Sequence, residues 1–444
     1  MANTFVERDT NKSKIVMLLS ILYGLFLGTD IVYIFTIGTT RFLISEVYTV
    51  VLFFILIIIG QFDLRQIRKA LKPSLILWIL MIIASIFGGL ITFMRVDIFY
   101  RYFVGLIALG ISASSYFVMI SLFDYRRYIL MGITIGLLCN ILIGVMQYST
   151  YQAGSEFLVL YNLFPQSDFY LYKYNFGTQG LFLEPSHMIQ YIASVFPIWL
   201  GIRYDGKIAS IGFLWAVLLL CAFSGSGTSI IIYISVIIFF VTKWIGKKIR
   251  RTVRVKSIIF WCIIMPAIVI TLTIYLPSLP QFQEFKDSII YYLELAINGS
   301  NITDSTNTER YVSITTAIKL IPETIFGCGW NLVHTLLMEK TSLHTPSAFS
   351  DLLEMTLEIG ILGIISYLYF ILKLFIKCIK RNNLEAKGIA ISLGSILVMQ
   401  IMADYAINTT IFMVFGWAVC LTNRKGNAID EKSRNSDITY IIQK

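Results

Sequence analysis

Apolar runs of about 20 residues recur from one end of the chain to the other, and nothing else in the sequence constrains its fold as tightly. Each run is long enough to cross a hydrocarbon layer roughly 30 Å thick as an α-helix, which satisfies its own backbone groups without water. Twelve candidate spans follow, at 15–37, 44–60, 74–94, 99–123, 128–147, 184–202, 208–224, 228–244, 257–277, 357–376, 388–406 and 408–422. Over 444 residues, 57% hydrophobic and 14% charged, a soluble chain could not hide so much apolar surface. The expected class is therefore all-α, a polytopic membrane protein with about 12 transmembrane helices. No cleavable signal peptide is expected, because Met1–Lys14 is polar and the run after it has spanning length without a small-residue cleavage pattern.

The net charge of +10 raises the possibility of a nucleic-acid partner, but the placement of the charge excludes it. With the N-terminus inside, every Lys and Arg falls on the cytoplasmic side except Arg41, Arg95, Arg101, Lys173, Lys286, Arg310, Lys319 and Lys340. This is the asymmetry of the positive-inside rule, so the basic clusters are topology signals and contacts for membrane lipids. The expected organisation is a cytoplasmic N-terminus at 1–14, a transmembrane domain at 15–422 and a cytoplasmic tail at 423–444. Two outer loops interrupt the membrane domain, at 148–183 and 277–356. The six cysteines stand singly, in no metal or disulfide spacing, and read as packing residues.

The outer loops hold most of the chemistry. The first is rich in aromatics between Tyr151 and Phe176, as an interfacial belt or a binding platform would be. The second, roughly 80 residues, is long enough to expect a function. Within it, Gln281–Ile297 has apolar residues at helical spacing, and Thr306 with Glu309 forms a capping box for a helix over 307–321 that stops at Pro322. Phe326-Gly-Cys-Gly-Trp330 is a glycine-punctuated turn.

No nucleotide-binding glycine loop, metal-ligand cluster or nucleophile elbow is visible, so neither a metal nor a cofactor is expected. The three histidines, His187, His334 and His344, fall on the outer side with Glu184 and Arg310. Glu184 precedes Pro185, where an acid either caps a helix or serves as a base or sugar-binding carboxylate at the membrane boundary. Arg310 pairs locally with Glu309 or Asp304, or offers its planar fork to a diphosphate. His344 is a loop histidine or a neutral imidazole that takes a proton from an acceptor hydroxyl. Asp30, in the first span, is a functional candidate because acids are costly there.

These residues resemble a known family. Phe182-Leu-Glu-Pro-Ser186 resembles the F-x-E-P-S signature of bacterial polysaccharide repeat-unit polymerases, the Wzy-type members of the O-antigen polymerase and ligase superfamily. Ser224-Gly-Ser-Gly-Thr228 stands at the family's Ser-rich turn. Arg310 with Pro322, Gly327 and Gly329 is similar to its R…P…GxG stretch, and His344 through Glu358-Ile-Gly360 and Gly363 to its H…(E)xGxxG stretch. The resemblance spans roughly residues 130–375. It implies a GT-C-like fold and a metal-independent glycosyltransferase. That enzyme joins oligosaccharides carried on undecaprenyl diphosphate at the outer face of the bacterial cytoplasmic membrane. A chain-length regulator and a flippase are the partners it implies.

By the same resemblance, Arg310 holds the lipid-linked diphosphate, and His344 or Glu184 activates the acceptor, with Ser186 and His187 beside the substrate. The chain departs from the family in two places. Its Ser-rich turn lacks the arginine often found there, so a second phosphate-binding arginine is sought among Arg41, Arg95 and Arg101. His344 lies further upstream of Glu358 than in typical ligases, which makes Asp351 a rival. The Glu-Pro-Ser stretch and the missing arginine favour a polymerase over a ligase. A flippase or transporter of lipid-linked sugars is the reading from another class. Its paired repeats are not visible, and the polar residues gather in one outer loop.

Overall fold

The structure is a computed structural model that describes residues 2–30, 32–37, 40–92, 96–152, 177–182, 184–248, 305–341, 350–381, 383–402 and 408–423. Among these it is a bundle of helices: α1 (Ala2–Phe26), α2 (Ile44–Ile58), α3 (Leu64–Leu71), α4 (Leu75–Thr92), α5 (Val96–Ser121), α6 (Arg126–Gln152), α7 (Pro185–Arg203), α8 (Ile208–Phe223), α9 (Ile230–Lys248), α10 (Ser305–Leu320), α11 (Val333–Thr341), α12 (Asp351–Lys380), α13 (Leu384–Met402) and α14 (Thr409–Asn423). Helices stand at eleven of the twelve expected span positions, and the span at 257–277 lies outside the described residues. Among the described residues five helices are long and apolar enough to cross a membrane, six if α3 and α4, bent by 78°, form one span.

The first span differs from expectation. Helix α1 stops at Phe26, and after Gly28-Thr29-Asp30 the chain turns into a strand, β1 (Tyr33–Ile37), paired antiparallel with β2 (Thr40–Leu43). The apolar run continues to Ile37, but its aromatic and β-branched residues suit a strand. The helix closes before them in a turn where the Gly28 amide donates to the Leu25 carbonyl and the Thr29 amide to that of Phe26. Asp30 therefore sits in the turn beyond the helix.

Glycines set the closest helix crossings. A Cβ on Gly24 of α1 would lie 2.0 Å from the Ile129 carbonyl, and one on Gly132 of α6 would lie 1.9 Å from that of Ile21. Helices α7 and α13 cross as tightly, at Gly201 and Gly388. Small residues of this kind let backbones approach in a medium where apolar association offers little else. Helix α7 occupies the centre, with every residue from Met188 to Leu200 buried.

The two ends of the bundle differ in charge. At one end Arg126 Nε meets Glu385 at 2.8 Å, Trp417 Nε1 donates to the same carboxylate, and Arg381 donates to the Thr422 carbonyl at 3.1 Å. The other end gathers the C-terminus of α1 and the N-termini of α2, α7, α12 and α14 around a cavity.

Candidate functional site

Two side chains inside α6 build the floor of this end. Asn140 and Gln147 are seven residues apart, so they share a helix face, and both are buried. The Gln147 carbonyl oxygen accepts from the amides of Gln179 at 3.0 Å and Gly180 at 2.9 Å, while its amide donates to the Gly180 carbonyl. Asn140 accepts from the Leu181 amide at 2.7 Å and donates to the Gly28 carbonyl at 2.8 Å. Asp30 completes the tie through its own amide, which donates to the Leu181 carbonyl at 3.1 Å. The segment leading to Pro185 is thus fastened to α6 and to the end of α1. Gly180 takes φ +60° there, with no room for a Cβ because Asn140 Oδ1 would be 2.4 Å away.

The cavity encloses about 570 Å³. Its polar lining includes Asp30, Glu46, His187, Asp351, Glu354 and Glu358. His187 Nδ1 lies 2.9 Å from Asp30 Oδ2. Asp351, 4% exposed, opens α12 and accepts a 2.9 Å hydrogen bond from Gln400 Nε2, whose carbonyl accepts in turn from the Tyr367 hydroxyl. Thr29 is also among the lining residues, and its hydroxyl is buried with no hydrogen-bond partner among the described residues.

A backbone joint forms another wall. Helix α12 breaks at Gly360 (φ 75°, ψ 174°), and the turn before α11 docks into the break. There the Cys328 amide donates to the Leu357 carbonyl at 2.8 Å, the Gly329 amide to the Glu358 carbonyl at 3.1 Å, and the Ile361 amide to the Ile325 carbonyl at 3.0 Å. The Glu358 carboxylate accepts the Asn331 amide at 2.7 Å, which fixes Trp330 and Asn331 against the cavity. The two glycine stretches singled out in the sequence are the halves of this joint.

The remaining sequence candidates take varied places. Glu184 occupies the N-cap position of α7, where its carboxylate makes no capping bond but accepts from Ser186 Oγ at 3.1 Å. Neither residue is among those lining the cavity. Arg101 is exposed on α5, its Nη1 donating to Thr335 at 3.4 Å on α11, the helix that carries His334. Arg41 lies on β2 opposite Thr36, and Arg310 lies in the first turns of α10; their side chains lie outside the described structure. Arg95, His344, Gln281–Ile297 and Phe157–Phe176 lie outside the described residues. Helix α10 ends at Leu320, ahead of Pro322, and begins at Ser305, just before the expected capping box. Asn408, in a glycosylation-type sequon, caps α14 by accepting from the amides of Thr410 and Ile411. Among the described residues no group of three or more His, Cys, Asp or Glu is placed to hold a metal ion.

Sequence reasoning did not single out Asn140, Gln147 or Gln400. The signal for the first two was present, as a pair of amides on one face of an apolar span.

Fold and cavity together define a polytopic helical membrane protein with a polar, acid-lined cleft at one end of its bundle. Residues 212–368 match the family model described as O-antigen ligase, consistent with the O-antigen polymerase and ligase superfamily. Members of that family are membrane glycosyltransferase-like enzymes, and the match supports a function of the ligase or polymerase type. The matched segment contains the Ser224–Thr228 turn, Arg310 and both halves of the joint, while Phe182–Ser186 lies outside it. No curated protein matches the chain.

Proposed function

We propose that this protein is a polysaccharide polymerase that joins undecaprenyl-diphosphate-linked repeat units at the outer face of the bacterial cytoplasmic membrane. The observation that carries the reading is the acid-lined cavity at the end of the bundle remote from the Arg126 and Arg381 cluster. By the positive-inside rule that cluster faces the cytoplasm and the cavity faces out. Carboxylates suit sugars, because each oxygen accepts hydrogen bonds from hydroxyl donors. Asp351, held by Gln400, is assigned to a sugar hydroxyl. Arg310 is assigned to the diphosphate, with Arg41, Arg95 and Arg101 as candidates for a second contact. The diphosphate is already a good leaving group, so orientation and charge stabilisation supply most of the rate.

The test is the state of the lipid-linked sugars in cells lacking the protein, measured with surface polysaccharide length. Single repeat units at the outer face with no long chains are expected. Long chains still attached to lipid would instead make the protein a ligase, and units confined to the cytoplasmic face a flippase. In normally expressed protein, Arg310→Ala is expected to reduce polymer sharply. Intact polymer in both Arg310→Ala and Glu184→Gln would remove the diphosphate assignment and any role for Glu184.

A further inference from the structure

We infer that the Asp30–His187 pair is the proton-accepting element of sugar transfer, an inference that rests on the polymerase or ligase reading above. The two residues are 157 positions apart, and the buried amide of Asn140 brings their segments together by bonding both the Gly28 carbonyl and the Leu181 amide. Both residues line the cavity, with the His187 side chain 38% exposed and the Asp30 side chain, at 14%, the more buried of the two. A carboxylate 2.9 Å from Nδ1 fixes the tautomer that carries its hydrogen there, and the lone pair of Nε2 becomes the proton acceptor. Two other carboxylates of the cavity are already engaged, Asp351 by Gln400 and Glu358 by the Asn331 amide.

In the transfer, the acceptor O–H bond breaks and its proton passes to His187 Nε2 as the oxygen bonds to the anomeric carbon. The anomeric C–O bond to phosphate breaks, and its electron pair leaves with the lipid diphosphate. Asp30 stabilises the imidazolium without taking the proton, which then passes to solvent or to the departing diphosphate. His187 is the catalytic residue and Asp30 the positioning residue.

The test uses the full-length protein in lipid nanodiscs with lipid-diphosphate-linked repeat units, measuring kcat and KM. His187→Ala is expected to lower kcat about 10²- to 10⁴-fold with little change in KM. Asp30→Asn is expected to lower kcat as well, and the double variant to be no slower than His187→Ala, because the two act as one unit. Added imidazole is expected to restore part of the rate to His187→Ala, a recovery that a merely structural histidine would not show. An unchanged kcat in His187→Ala, or losses that multiply in the double variant, would overturn the pairing while leaving the polymerase reading intact. A wild-type protein that transfers no sugar from the lipid diphosphate, to another unit or to a final acceptor, would overturn both. If His187→Ala fails to fold, Asp30→Asn carries the test. A kcat loss recovered by Asp30→Glu supports the pair, and an unchanged kcat overturns it.

Discussion

Asn140 and Gln147 show how much one polar side chain in an apolar helix can reveal. Leucine at either position would leave the amides or carbonyls of Gly28, Gly180 or Leu181 buried without partners, at about 1–3 kcal/mol for each group. Asn140→Leu and Gln147→Leu are therefore expected to lower the melting temperature of the purified protein, and Asn140→Leu also to depress kcat by loosening the Asp30 turn. At Asp351 the expected loss is in binding. Asp351→Ala removes a carboxylate hydrogen bond worth about 1.5–3 kcal/mol, so KM for the lipid-linked unit should rise about tenfold or more, read from initial rates. At this scale the sequence was informative where a residue was chemically out of place, as with Glu184 and His187 beside a membrane span. It was silent where two such residues meet. Spacing along the chain says nothing of a contact between Asp30 and His187, or between Asp351 and Gln400.

Helices were the most legible elements, because a 20-residue apolar run has few other ways to satisfy its backbone. The end of α1 was not, since Tyr33–Ile37 is as hydrophobic as the helix before it and only the turn at Gly28 separates them. The break in α12 was half legible: Gly327 and Gly360 stood out, but not that they face each other. A Cβ on Gly360 would lie 2.2 Å from the Ile325 carbonyl and would force a side chain into a left-handed conformation. Gly360→Ala is expected to destabilise by at least ~2 kcal/mol, seen as lost membrane-inserted protein and a lower melting temperature. Within the same joint Cys328 is 3% exposed, and burial pushes its thiol well above the ordinary range. The group stays protonated at neutral pH, so maleimide should label Cys328 only after unfolding, as mass spectrometry of the labelled peptide would show.

At the scale of the whole molecule, the cavity and the Arg126–Arg381 cluster lie at opposite ends of the described bundle. The C-terminal end of α1 and the N-terminal ends of α2, α7, α12 and α14 meet at the cavity, and the expectation from the Lys and Arg bias is that both termini face the cytoplasm. A fluorescent reporter that folds only in the cytoplasm, fused after Lys444, should therefore glow, and a phosphatase active only outside should be inactive there. The reverse pattern would turn the cavity inward and remove it from lipid-linked sugars presented outside. The helical membrane class was legible at this scale, because hydropathy is summed over many residues and tolerates local errors. The shape of the cavity is not a sum of that kind, since it depends on which helix ends converge.

The joint between α12 and the turn before α11 also has a mechanical consequence. Three backbone bonds cross it, from Cys328, Gly329 and Ile361, and they key the helix like a tooth in a ratchet. Helix α12 cannot slide along its axis without releasing all three together. The wall bearing Asp351 and Glu358 therefore moves, if it moves, as one block with the turn that carries Trp330 and Asn331.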